Sequence, residues 1–306
     1  MQSSVVIPVV INASSGPGYT AERADELTKK FQSHGLNVEV TLTRNGEEIA
    51  QAVRHAIACK PRLVVAGGGD GTISAVGAAL TGTGITLGVL PMGTLNHFAK
   101  DMRIPLELDA ALLAIAAGGV TRIDVGNVNG RVFLNNSSLG LYPDLVRDRE
   151  RQQRRLGWGK WRAFLWAVLR VLRRNSSVDV RLTIDNRAVS RRVPFIFIGN
   201  NEYVMEGFSI GERRHLDDGH LGLYMARHSG RLGLLKLAAL AVLGRLRQAR
   251  DFDAVAVEEI EIVSRKKQLR VAIDGEVTMM DTPLRYRIVP NALTVIAPQR
   301  SEAENK

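Results

Sequence analysis

Leu63-Val64-Val65-Ala66-Gly67-Gly68-Gly69-Asp70-Gly71-Thr72 passes from an apolar run through three glycines to an acid and a threonine, and an Ala-rich segment follows. The pattern predicts a strand, a tight turn and a helix over Ile73 to Leu80. Glycines carry no Cβ, so this turn can take up positive φ and let a ligand come close to its N–H groups. The helix start aims its positive end at the same spot, and a phosphate is the natural occupant. Asp70 is ill suited to touch an anion; its roles are a magnesium ion, a sugar hydroxyl or the turn itself. A plain glycine-rich connection with Asp70 as a helix cap is the competing reading, and glycine content does not separate the two.

Outward from this stretch, strand and helix patterns alternate. Val5 to Ile11 is a continuous β-branched run, as in a strand buried on both faces. Asn12 to Gly16 turns the chain, Thr20 to His34 has helical spacing, Asn37 to Thr43 alternates, and Gly46 to Cys59 is helical again. Ile85 to Leu90 reads as the next strand and Leu106 to Ala117 as a helix closed by Gly118-Gly119. This is the pattern of a parallel sheet covered by helices, where ligands gather at the carboxyl ends of the strands. The loop Pro91 to Ala99 lies at such an end. Thr94 and Asn96 suit the polar atoms of a nucleotide, but from chemistry alone Thr94 as an N-cap and Phe98 as a core plug is the favoured account. His97 stands alone and is no candidate for zinc.

A chain of 306 residues with 45% hydrophobic composition can bury a real core and is expected to form two domains. Cys59 is the only cysteine, so no internal disulfide can form, and a reducing compartment fits. The opening residues lack a charged leader followed by a long apolar stretch, and no window approaches the roughly 20 apolar residues of a membrane span. A cytoplasmic protein is expected. The net charge of +10 asks for an acidic partner: nucleic acid, anionic lipid or a phosphorylated substrate. Charge alone does not choose among them.

Beyond about Gly126 the texture changes to short alternating runs, among them Val132 to Asn136, Val178 to Ile184, Val193 to Ile198, Leu221 to Met225, Ile260 to Ser264, Leu269 to Ile273 and Leu284 to Val289. With Asp-Gly and Asn-Gly turns between them they predict an antiparallel sandwich. His215-Leu216-Asp217-Asp218-Gly219-His220 and Ile273-Asp274-Gly275-Glu276 both read as hairpin turns. Arg151 to Arg174 carries eight basic residues and no acid, interleaved with Trp158, Trp161, Phe164 and Trp166. Trp161, Leu165, Val168 and Leu172 share one helical face, the recipe for a helix lying on an anionic bilayer. Arg231 to Arg250 is a milder version. A pair of core helices with solvated arginines is the alternative for both.

The glycine stretch is no Walker loop, since no Lys-Ser/Thr follows it, and its spacing fails the dinucleotide fingerprint. It resembles the Gly-Gly-Asp-Gly-Thr box of diacylglycerol kinases, sphingosine kinases, NAD kinases and phosphofructokinases. Asn12 to Gly16 and Pro91 to Ala99 then resemble, in order, the first and third boxes of the bacterial diacylglycerol kinase and sphingosine kinase family. Ala13 stands where proline is usual, Ser74 where asparagine is common and His97 where aspartate is frequent. The resemblance implies an α/β nucleotide domain of phosphofructokinase and NAD kinase type over residues 1–125. An antiparallel β-sandwich lipid-substrate domain follows over 126–290, and a last strand, Leu293 to Ala297, returns to the first domain.

The same resemblance implies an ATP-dependent lipid kinase working with magnesium. Asn12, Ser15, Gly16, Thr43, Gly67, Gly68, Gly69, Asp70, Gly71, Thr72, Thr94 and Asn96 would hold the nucleotide. Asp218 would bind magnesium through its side chain, with backbone oxygens from His215 and His220. Asp274, in the second domain, would take the proton of the lipid hydroxyl. The implied partner is a lipid such as diacylglycerol at an anionic membrane surface, with peripheral attachment, no nucleic acid, and a homodimer left open. A phosphotransferase of NAD kinase type acting on a soluble acceptor, and a non-catalytic basic binding protein, are the rival readings.

Overall fold

The computed structural model describes residues 6–16, 18–140, 178–184, 187–204, 212–213, 215–226 and 252–298. Both basic stretches, 151–174 and 231–250, lie outside the described residues. The chain divides into two compact units, the first made of Met1–Val125 and Val289–Lys306 and the second of Gly126–Ile288.

The first unit begins β1 (Ile7–Asn12), α1 (Ala21–Ser33), β2 (Val38–Thr43), α2 (Gly46–Ala58), β3 (Leu63–Gly68), α3 (Asp70–Leu80) and β4 (Thr86–Pro91). It continues with the single-turn α4 (His97–Asp101), α5 (Leu108–Ala117) and β5 (Val120–Val128), which carries the chain into the second unit. β1 pairs in parallel with β2 on one side and β3 on the other, and β3 pairs in parallel with β4. The strand order β2-β1-β3-β4 therefore reverses direction at β1. In such sheets the crevice for a ligand opens outside the carboxyl ends of the two strands flanking the reversal, here β1 and β3. Right-handed crossovers put α1 on one face and α2 and α3 together on the other, and α2 does pack against α3. Val9, Val10, Ile11, Val64, Val65, Ala66, Leu87 and Val89 are all at most 1% exposed, which is why these strands read as unbroken apolar runs instead of alternating ones.

The second unit contains β6 (Arg131–Phe133), β7 (Asn136–Gly140), β8 (Val178–Ile184), β9 (Arg187–Val193), β10 (Phe195–Asn200), β11 (Leu221–Ala226) and β12 (Phe252–Val257). It closes with β13 (Glu259–Ser264), β14 (Gln268–Ile273), β15 (Glu276–Asp281) and the first half of β16 (Leu284–Ile296). One layer is the antiparallel sheet β12-β11-β10-β7-β14-β15; the facing strands run β16-β13-β8-β9. Between them lies one apolar core that includes Phe133, Ile198, Leu221, Leu223, Ile262, Val271, Leu284 and Tyr286. The Tyr286 hydroxyl reaches Ser137 Oγ in the opposite layer at 3.0 Å, and burial pushes that hydroxyl well above its ordinary pKa. The second half of β16 belongs to the first unit, where Val295 pairs in parallel with Leu87 of β4.

The α/β sheet and the sandwich both match the sequence reading. β5, β9, β12 and β15 have no counterpart among the expected strands, and the last three lie at the edges of their sheets. Arg187-Ala188-Val189-Ser190-Arg191-Arg192-Val193 shows why: an edge strand has one paired side and need not carry an apolar period. No helix among the described residues is long and apolar enough to cross a membrane.

Candidate functional site

Four loops follow the carboxyl ends of β1 to β4, and backbone contacts knit three of them together. The Asn12 amide at the end of β1 donates from Nδ2 to Thr72 Oγ1 at 3.1 Å, tying the first loop to α3 across the point where the strand order reverses. Asn12 Oδ1 accepts the Ser14 N–H at 3.0 Å, so the same side chain shapes its own turn. Ser15 bonds back to the Asn12 carbonyl through its N–H at 3.0 Å. Thr43, 1% exposed, donates its hydroxyl to the Ile11 carbonyl at 2.9 Å and braces β2 against β1 from inside.

The glycines do not use the positive φ expected of them. None of Gly67, Gly68, Gly69, Gly71 or Gly93 has positive φ; Gly69 is extended, at φ −86° and ψ −178°. Their value is close approach. A Cβ on Gly68 would stand 2.6 Å from Thr72 Cβ, and one on Gly93 would stand 2.5 Å from the Gly69 Cα. The backbones of the β3 and β4 loops thus touch where no side chain fits. Gly16, at φ +60°, does use the left-handed region, and a Cβ there would meet the Met92 carbonyl oxygen at 2.8 Å. Met92 is the hub that sequence reading overlooked. Its N–H donates to the Gly68 carbonyl at 2.9 Å and its thioether covers Gly67.

Helix α3 starts at Asp70, three residues earlier than expected, and Gly69 is its N-cap without a side-chain cap bond. Thr72 and Ile73 make the first intrahelical bonds, both to the Gly69 carbonyl. The Asp70 and Gly71 N–H groups precede them and are the donors a helix start leaves for a ligand. Gly71 is exposed, with open space where a Cβ would be. Asp70 does not cap its own helix. Its Oδ1 accepts the Phe98 N–H at 3.0 Å and so caps α4 in the next loop. Thr94 is exposed and is not the N-cap of α4; Asn96 occupies that position in the left-handed conformation, at φ 50°. The Asn96 amide instead closes a ring with Gly93, accepting its N–H and donating to its carbonyl, both at 2.9 Å. Phe98 is fully buried, as a core plug should be. A crowded, side-chain-free backbone beside unused helix N–H groups fits a polyphosphate.

In the second unit Asp274 and Gly275 form the two-residue turn between β14 and β15, at φ 45° and φ 89°. This is the Asp-Gly hairpin read from the sequence. The carboxylate is turned onto the segment before β7: Oδ2 accepts the Leu134 N–H at 2.8 Å, and Oδ1 accepts those of Asn135 at 2.8 Å and Asn136 at 2.9 Å. Converging N–H dipoles of this kind suit an anion and fix its orientation.

Residues 215–220 are not a tight hairpin turn; they form an open loop before β11. The reason lies in the partners of its ends. The His220 carbonyl accepts the Asn201 N–H at 3.1 Å, and Arg213 bridges to Tyr203, so both ends of the loop are held by the segment 201–203 and not by each other. The His220 carbonyl, expected as a magnesium ligand, accepts the Asn201 N–H with one lone pair and keeps a second, and the His220 ring nitrogen Nδ1 lies 2.6 Å from the Asp218 carbonyl. The ligand atoms that converge, within 4.8 Å of one another, are those of His215, Asp217 and Asp218, all exposed. The Asp218 carboxylate with backbone oxygens of the same loop is the kind of oxygen donor set that suits a hard cation, the imidazoles standing by.

Arg213, Asn200, Asn201 and Asn135 form a buried polar cluster that sequence reading missed entirely. In Glu212-Arg213-Arg214-His215 nothing separates a buried arginine from a solvated charge run.

Comparison with known proteins covers nearly the whole length. Residues 7–128 match the diacylglycerol kinase catalytic domain, and residues 146–297 match the YegS C-terminal NAD kinase beta sandwich-like domain. A protein of Pseudomonas aeruginosa named "Probable lipid kinase YegS-like" is 30% identical over 273 residues, 87% of each chain. A Bacillus subtilis protein named diacylglycerol kinase is 25% identical over 88% of each. The fold recurs in the crystal structure of a diacylglycerol kinase from Bacillus anthracis, with a TM-score of 0.68 over 97% of this chain and 98% of that one, at 18% identity. The chain belongs to the family of lipid kinases built from a diacylglycerol kinase catalytic domain and a YegS-type sandwich domain.

Proposed function

We propose that the protein transfers the γ-phosphoryl group of ATP to the hydroxyl of a membrane lipid such as diacylglycerol. The observation that carries this reading is the side-chain-free crossing of Gly68, Gly69 and Gly93 beside the first turn of α3. The phosphates of ATP would lie against the N–H groups of Asp70 and Gly71, with Gly16 and the Met92 carbonyl closing one side. Asn12, Thr72, Asn96 and Asp70 act at one remove, by holding the loops. Magnesium carried with the nucleotide would neutralise phosphate charge, and Asp218 with the His215 and His220 backbone oxygens would hold an ion in the second unit.

In the transfer step the lipid oxygen attacks the γ-phosphorus and the bond to the β–γ bridging oxygen breaks. ADP leaves with that electron pair, and the hydroxyl proton passes to Asp274. An aspartate is too weak a base to ionise an alcohol beforehand, so it orients the hydroxyl and takes the proton late. A carboxylate pinned by three backbone N–H groups suits a task where position outweighs basicity. Work at an anionic lipid surface from the cytoplasm belongs to this reading, and a net charge of +10 is compatible with it.

The test is incubation with γ-labelled ATP, magnesium and mixed bacterial lipids, comparing the protein with Asp274→Asn. Label should enter the organic phase and fall by roughly 10²- to 10⁴-fold in the variant. Label in a water-soluble product would move the reading to a phosphotransferase of NAD kinase type. Binding to anionic vesicles without ATP turnover would leave a non-catalytic protein.

A further inference from the structure

Arg213 is 4% exposed, and removing a guanidinium from water costs several kcal/mol before any partner is counted. Three of its bonds reach Leu134, Asn135 and Asn200. Its Nη1 donates to the Leu134 carbonyl at 2.6 Å and to the Asn200 carbonyl at 3.1 Å, and its Nη2 donates to Asn135 Oδ1 at 2.8 Å. The guanidinium also lies over the Tyr203 ring, 5.4 Å from its centre.

The Leu134 carbonyl and the Asn135 N–H belong to the same peptide group. Its oxygen faces the Arg213 cation and its N–H faces the Asp274 carboxylate. The next peptide repeats the arrangement with neutral donors. The Asn135 carbonyl accepts from the Asn200 N–H at 2.9 Å and the Tyr203 hydroxyl at 3.1 Å, while the Asn136 N–H donates to Asp274. A donor on a peptide oxygen polarises the N–H on its other side and strengthens the bond that N–H makes. Any neutral donor, such as the Asn200 amide that also bonds the Leu134 carbonyl at 3.0 Å, could satisfy that oxygen. What a buried cation adds is charge, delivered to a carboxylate one peptide away.

We infer that Arg213 is a positioning residue for Asp274, acting through the Leu134–Asn135 peptide that the two side chains grip from opposite sides. The inference rests on the reading of Asp274 as the group that receives the hydroxyl proton. It adds to that reading a buried residue far off in sequence.

The experiment uses the full-length protein as Arg213→Met and Arg213→Lys, with kinetics and with ¹⁵N-asparagine spectra that report the Asn135 and Asn136 amides. Arg213→Met should lower kcat about 10- to 100-fold with the KM for ATP unchanged. Its Asn135 and Asn136 amide protons should move upfield and exchange faster. Arg213→Lys keeps the charge without the fork and should recover part of kcat and part of the amide shifts; it also serves if the methionine variant does not fold. Amide resonances that stay in place in a folded variant overturn the inference, whatever the activity. So does a kcat loss that lysine does not lessen. If instead Asp274→Asn keeps full activity while the Arg213 variants still move the amides, the proton-acceptor role falls and the peptide-mediated grip stands.

Discussion

The two units prepare their polar sites in opposite ways. The first clears side chains from a crossing of two loops, so that Gly69 and Gly93 meet backbone to backbone and helix N–H groups are left for an anion from outside. The second supplies its own anion, Asp274, and wraps a peptide segment around it, with a buried arginine behind. One site is made by omission and the other by addition. A site made by omission is sensitive to any atom added, and one made by addition is sensitive to any charge removed.

The largest effect on the fold should come from adding one carbon where the loops cross. Gly93→Ala places a Cβ 2.5 Å from the Gly69 Cα, and because the obstacle is backbone, no rotamer change relieves it. A cost of about 1–3 kcal/mol is expected, together with loss of nucleotide binding. Thermal unfolding and ATP-dependent protection against unfolding would measure both. A Gly93→Ala protein of unchanged stability that still binds ATP breaks the comparison at its root, because the crossing would then tolerate side chains.

Asp70→Ala comes next. It removes the acceptor of the Phe98 N–H while leaving the glycines in place, so about 1 kcal/mol of stability should be lost. Faster hydrogen exchange at Phe98 and in α4, with α3 unaffected, is the expected pattern. Equal loosening of α3 would return Asp70 to the role of cap for its own helix.

The same contrast explains what the amino-acid sequence disclosed. Glycines at 67–69 announce a missing side chain locally, and the strands around them, buried on both faces, are apolar without interruption, so the first unit could be read in order. Their positive φ is not what the fold uses, because close approach between 69 and 93 is a tertiary fact that φ preferences do not contain. The turn at Asp274 is legible as an Asp-Gly hairpin, since two residues suffice to specify it, while its role at a site is implied only by the family resemblance. Its three N–H partners lie about 140 residues away at 134–136, and Arg213 comes from a third place again. No local period encodes such a meeting. The loop at 215–220 was misread for the same reason, its shape being set by Asn201 and Tyr203 and not by Asp218-Gly219.

The smallest effect on stability should accompany the sharpest functional answer. Gly71 lies in the first turn of α3 with no positive φ, and nothing stands within 4 Å of the position a Cβ would take. Alanine there adds no clash and restricts the unfolded chain, so Gly71→Ala should be neutral or stabilising by up to about 1 kcal/mol. The open space exists beside the two N–H groups assigned to the phosphates, and a methyl group placed there stands in the path of the ligand. The KM for ATP should therefore rise about tenfold or more, equivalent to ~1.4 kcal/mol of lost binding, in a protein that melts no lower than the parent. Gly93→Ala cannot separate a blocked site from a damaged one. Gly71→Ala can, because its stability and its affinity are expected to move in opposite directions. An unchanged KM would mean that the phosphates do not rest on the start of α3, and that the glycine at 71 serves only the turn.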